Sequence, residues 1–117
     1  MPQAVKALSS QSEYERYVAF AREVYAGNPN WRPGDDHHEI ELIANRSAFA
    51  AHSRVQAFWA AEGDRVDAVV TALSDDSYNA RWNEKAGHLV SFEARPGCDA
   101  AVRALFHEAC RWLAGQG

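Results

Sequence analysis

The amino-acid sequence predicts a single α/β domain of the α+β kind: a mostly antiparallel four-stranded sheet with helices on both faces. Three observations carry that prediction. Residues 54–62 and 65–74 are apolar, β-prone segments joined by Gly63-Asp64, a two-residue hairpin signal. Segments near each end of the chain carry apolar residues at spacings of three and four, the mark of an amphipathic helix. In the second hairpin strand apolar residues occupy both alternating sets, so helices are expected on both sides of the sheet. With 117 residues and 47% hydrophobic content, residues 1–117 form one domain that buries its own core without a disulfide or metal.

The elements follow in order. Ala4 to Leu8 reads as a short strand. Ser10 and Glu13 stand at capping-box spacing and open a helix. Tyr14, Tyr17, Val18, Ala21, Val24 and Tyr25 form its inward stripe, and Gly27 ends it. Residues 28–34 hold Pro29, Trp31 and Pro33 and cannot be helical. Asp35 or Asp36 caps a second, shorter helix through about Asn45, with Ile40 and Ile43 inward. The connection from Arg46 to Ser53 has Phe49 as its one large anchor.

Arg54–Glu62 and Arg65–Ser74 make the hairpin. Val66, Ala68, Val70 and Ala72 are expected on one face, and Val69, Thr71 and Leu73 on the other. A polar loop from Asp75 to Gly87 embeds Tyr78 and Trp82. His88 to Ala94 is the fourth strand, near a sheet edge, broken by Arg95-Pro96-Gly97. Asp99 caps the last helix, whose stripe is Val102, Leu105, Phe106, Ala109, Trp112 and Leu113.

Charge and composition exclude several functions. Twelve Lys and Arg against sixteen Asp and Glu give a net charge of −4, and Lys6, Arg16, Arg22, Arg46, Arg65, Arg95 and Arg103 are scattered singly. A nucleic-acid groove needs clustered basic residues. No apolar run approaches the length of a membrane span, and Met1 to Val5 does not read as a signal peptide. Cys98 and Cys110 would lie roughly 18 Å apart on one helix, beyond disulfide reach. Both thiols are expected to be reduced in a cytoplasmic protein, with Cys110 as a small core residue.

Gly27-Asn28-Pro29-Asn30-Trp31-Arg32-Pro33 resembles the "P-N-W-x-P" segment that follows the first helix in a group of long bacterial proteins of the acyl-CoA N-acyltransferase (GNAT) superfamily. Phe49 with His52, Phe58 with Ala60, Asn79, Asn83-Glu84-Lys85 with Gly87, and Phe92-Glu93 are similar to the same group in register. So is a last helix carrying Ala104-Leu105-Phe106 and Trp112-Leu113. The resemblance spans essentially the whole chain and implies the N-terminal half of that fold. The fold's fifth strand, fourth helix and closing strands are then expected beyond what this sequence encodes.

The resemblance also names candidate residues. Glu93 stands where such enzymes hold a general base that deprotonates an amine. Phe92, Ala94 and Arg95 beside it are the candidate cofactor contacts. Acetyl-CoA is the implied cofactor if the fold is completed, and none is expected to bind this chain alone. The usual Gly-rich phosphate loop before the third helix is replaced by Arg95-Pro96-Gly97-Cys98-Asp99-Ala100. Pro96 removes an N–H donor and Asp99 adds a like charge. Asp67 stands where the family commonly has glycine.

Other candidates carry less chemistry. Asp35-Asp36-His37-His38-Glu39 is rich in metal-ligand types, yet adjacent helical histidines point about 100° apart, and helix capping explains the acids. No metal is expected. Cys98 sits at a helix start, where a thiol pKa can fall, but a nucleophile also needs a positioned base, and only His88 and His107 are near in sequence. Trp31, Tyr78 and Trp82 either line a pocket or interface or pack under their loops. Two functions remain open: a dimeric interaction or small-molecule-binding module that kept the scaffold, or an acetyl-CoA-dependent N-acetyltransferase completed by a dimer or by further chain. An uncovered fourth strand implies a homodimer, through that strand or through the third helices.

Overall fold

The computed structural model describes residues 4–24, 36–46, 53–75, 81 and 87–116. Its elements are β1 (Ala4–Ala7), α1 (Gln11–Val24), α2 (Asp36–Ile43), β2 (Ser53–Glu62), β3 (Arg65–Asp75), β4 (His88–Ala94) and α3 (Asp99–Gly115). The four strands form one antiparallel sheet in the order β1-β2-β3-β4, so β4 is an edge strand, as its sequence position suggests. Trp31, Phe49, His52, Tyr78, Asn79, Trp82 and Asn83-Glu84-Lys85 lie outside the described residues, as do Tyr25, Gly27 and the side chains of His37 and His38.

Helices cover both sheet faces. Leu8, Tyr14, Tyr17, Val18, Phe20 and Ile43 pack with Ala57, Val66 and Val69 on the α1/α2 side. Ala101, Leu105 and Ala109 of α3 pack with Phe58, Ala60, Ala68, Val70 and Ala72 on the other. No described helix is long and apolar enough to cross a membrane.

The capping box forms at α1. The Glu13 N–H donates to Ser10 Oγ at 3.3 Å, while Glu13 Oε1 accepts from the N–H groups of Ser9 and Ser10 at 3.0 and 3.1 Å. Lys6 Nζ pairs with the other carboxylate oxygen. With Lys6 as the main cause, these contacts hold the Glu13 pKa at about 2, below its ordinary 4.5. A depressed folded-state value stabilises the fold above the unfolded value and loses that contribution as pH falls toward the folded one. Glu13→Gln is therefore expected to cost about 1 kcal/mol or less at pH 7, the worth of an exposed cap. Thermal melts of the two proteins should converge as pH falls from 4.5 toward 2. An equal gap at both ends would refute the assignment.

Helix α2 closes with Asn45 in the left-handed region at φ 58°. Asn45 N–H donates to Leu42 O at 3.1 Å and Arg46 N–H to Glu41 O at 2.7 Å, the paired bonds of a Schellman motif. Gly63, at φ +61°, supplies the hairpin turn that a side chain would strain.

Three expectations need correction. Val66 does not share the face of Ala68: the register passes from Ala60↔Ala68 to Ala61↔Val66, leaving Asp67 as an extra residue. This bulge inverts the alternation, so Val66 joins the α1/α2 core. Asp99 is the first helical residue of α3, and the N-cap is Cys98, which makes no side-chain capping bond. Cys110 is exposed and not a core residue, because it lies outside the stripe set by Ala101, Leu105 and Ala109.

Candidate functional site on the fourth strand

β4 carries the chemistry that the sequence singles out, and its geometry is set by one residue. Thr71 pairs with Val90 and Val69 with Glu93, so Ser91 and Phe92 together face Val70. Ser91 is the extra residue of this bulge and adopts φ 54°, a left-handed conformation uncommon for serine. The insertion reverses which face each later side chain takes. Glu93 shares its face with its partner Val69, on the α1/α2 side. Phe92 and Ala94 turn to the α3 side, where the Phe92 ring packs against Phe106, tilted 39° with centroids 5.0 Å apart, and Ala94 packs against the core.

Side chains from three elements converge on Ser91. The Tyr17 hydroxyl of α1 donates to Ser91 O at 2.8 Å, and Thr71 Oγ1 of β3 donates to Tyr17 Oη at 2.9 Å. Ser91 Oγ donates to Glu39 Oε1 of α2 at 2.6 Å. Burial pushes the Tyr17 phenol well above its ordinary range. The hydrogen bond from Thr71 opposes that shift, and the Glu39 and Glu93 carboxylates add to it. Tyr17 is thus a neutral donor at any working pH. No hydrogen bond or ion pair joins the half-buried Glu93 carboxylate to another described residue.

The four candidate residues therefore divide. Glu93 faces Tyr17 and Glu39, while Phe92 and Ala94 face α3. Arg95 is engaged in holding the fold. Its N–H donates to Asp67 O at 2.9 Å and its Nε to Val66 O at 2.8 Å. Its Nη2 pairs with Glu23 at 3.1 Å, and its guanidinium lies 5.2 Å from the Phe20 ring centroid. Asp67 itself is fully buried, with Arg65 Nε at 2.7 Å from Oδ1 and Arg95 Nε at 3.9 Å. Asp67 thus ties β3 to the end of β4.

At the start of α3, Gly97 at φ +79° and Cys98 lead into Asp99. An open depression of about 390 Å³ there is lined by Asp99, Val102 and Arg103. Sequence reasoning did not place Tyr17, Glu39, Thr71 or Ser91 in a site. Tyr17 reads as core, Glu39 as a helix-start acid, and the other two as ordinary strand residues. The one available signal was a serine set between the apolar Val90 and Phe92 of β4.

No family model matches the chain, and no solved structure matches it. The chain is similar to Protein YghO of Escherichia coli (strain K12), at 25% identity over 113 residues, which cover 97% of this chain and 29% of that protein. The chain spans less than a third of the length of that relative.

Proposed function

We propose that this chain is a GNAT-like binding module that works as a cytoplasmic homodimer, with β4 as its contact surface. One observation carries the reading. β4 is an edge strand that holds the two exposed large hydrophobic residues among the described ones, Leu89 at 37% and Phe92 at 41% exposure. An edge of that kind invites pairing with another chain, and a second copy is the partner always present. The free Cys98 and Cys110 fit a reducing compartment. The acidic balance fits a protein without a nucleic-acid partner.

Light scattering over a concentration series tests the dimer. The wild-type chain should approach twice 13.0 kDa, and Phe92→Glu should return it to the monomer mass with unchanged circular dichroism. A wild-type protein of 13.0 kDa at every concentration contradicts the reading.

A second reading rests on Glu93. A half-buried carboxylate with no described partner is suited to take a proton from an amine, as an acetyl-CoA-dependent N-acetyltransferase requires. The α3 start weighs against it, because Pro96 lacks an N–H and Asp99 repels phosphate. The acceptor in this reading is an amine of unspecified structure.

A further inference from the structure

We infer that Tyr17, Thr71 and Glu39 are positioning residues that clamp the Ser91 bulge and thereby decide which side chains β4 presents on each face. The inference rests on the reading of β4 as the working surface and extends it to residues outside that strand. Without an extra residue at 91, the pairing of Val90 with Thr71 would continue to Phe92 with Val69 and Glu93 with Ala68. Phe92 would then turn to the α1/α2 side and Glu93 toward the core under α3. The exposed apolar surface made by Leu89 and Phe92 would be split between the two faces.

A left-handed serine is an unfavourable conformation that its surroundings must hold in place. Three hydrogen bonds do so here. Tyr17 fixes the Ser91 carbonyl and Glu39 fixes its hydroxyl, at 2.8 and 2.6 Å. Thr71 supplies the second bond to the Tyr17 hydroxyl, at 2.9 Å, so the phenol proton is directed to Ser91. Tyr17 is 3% exposed and Thr71 fully buried, so water cannot readily replace either partner. Phe92 on Phe106 and Ala94 in the α3 core favour the same register from the other face.

Native-state hydrogen exchange on Tyr17→Phe and Thr71→Val tests the clamp, because local opening is read separately from global unfolding. Loss of one hydrogen bond should accelerate exchange of the β4 amides roughly five- to tenfold, leaving β2 and α3 amides unchanged. Adding Ser91→Gly should restore part of the protection, because glycine adopts the left-handed conformation without strain even though it gives up the hydroxyl bond to Glu39. A uniform acceleration across β2, β3 and α3, no acceleration, or no rescue by glycine would overturn the inference. Light scattering on the same variants separates it from the dimer reading. A β4-specific, glycine-rescued change with the dimer affinity intact would uphold the clamp and overturn β4 as the contact surface.

Discussion

Phe20→Ala is expected to destabilise the domain by about 3–5 kcal/mol, the largest effect of any single truncation proposed. Phe20 is 1% exposed and sits between α1 and the sheet, with the Arg95 guanidinium over its ring. Truncation would open a cavity and also remove the apolar surface against which Arg95 is held. Urea unfolding monitored by circular dichroism measures the loss. A change below about 1 kcal/mol would mean that α1 is rotated from the phase described.

Leu105→Ala should cost about 2–5 kcal/mol on the opposite face. Leu105 is fully buried against Ala60, Ala68, Val70 and Ala72, a set of small strand residues that cannot swing in to fill the space. Phe106, half-buried on the same helix, should cost less. The two cavities lie on opposite sides of the sheet, so the double variant should lose close to the sum. That sum approaches or exceeds the whole stability of a typical domain, so the double variant should be largely unfolded. A substantially smaller combined loss would show that the two cores communicate through β2 and β3.

Periodicity made the helices legible, and the Gly63-Asp64 turn made the hairpin legible. His88–Ala94 matched its strand at both ends, since Gly87 and Arg95-Pro96 bound it. Phe20 is legible too, standing three residues after Tyr17 and four before Val24, although the stripe of Tyr14, Tyr17, Val18, Ala21, Val24 and Tyr25 does not include it. The bulges were not legible. At Asp67 and Ser91 one extra residue inverts the alternation, and nothing in the local apolar pattern requires it. Val66 was misplaced for that reason.

The site was legible only in part. Glu93 stood out through its position at the end of an apolar strand and through the resemblance. Its neighbours did not. Tyr17 reaches Ser91 across 74 residues, Thr71 reaches Tyr17 across 54, and Glu39 meets Ser91 across 52. Each of these side chains has an ordinary local explanation. Their convergence exists only once the sheet and both helices have assembled.

The central claim, a binding module in place of a working acetyltransferase, is tested most directly by calorimetric titration of acetyl-CoA into the 117-residue chain. In the acetyltransferase reading, the pyrophosphate would need several N–H donors converging at the start of α3. There Cys98 makes no capping bond and Asp99 places a carboxylate in the first turn. What remains must outweigh the cost of immobilising a flexible, highly charged ligand. The account predicts no saturable heat at micromolar protein. A dissociation constant in the low micromolar range would contradict it and transfer the weight to Glu93 as a base.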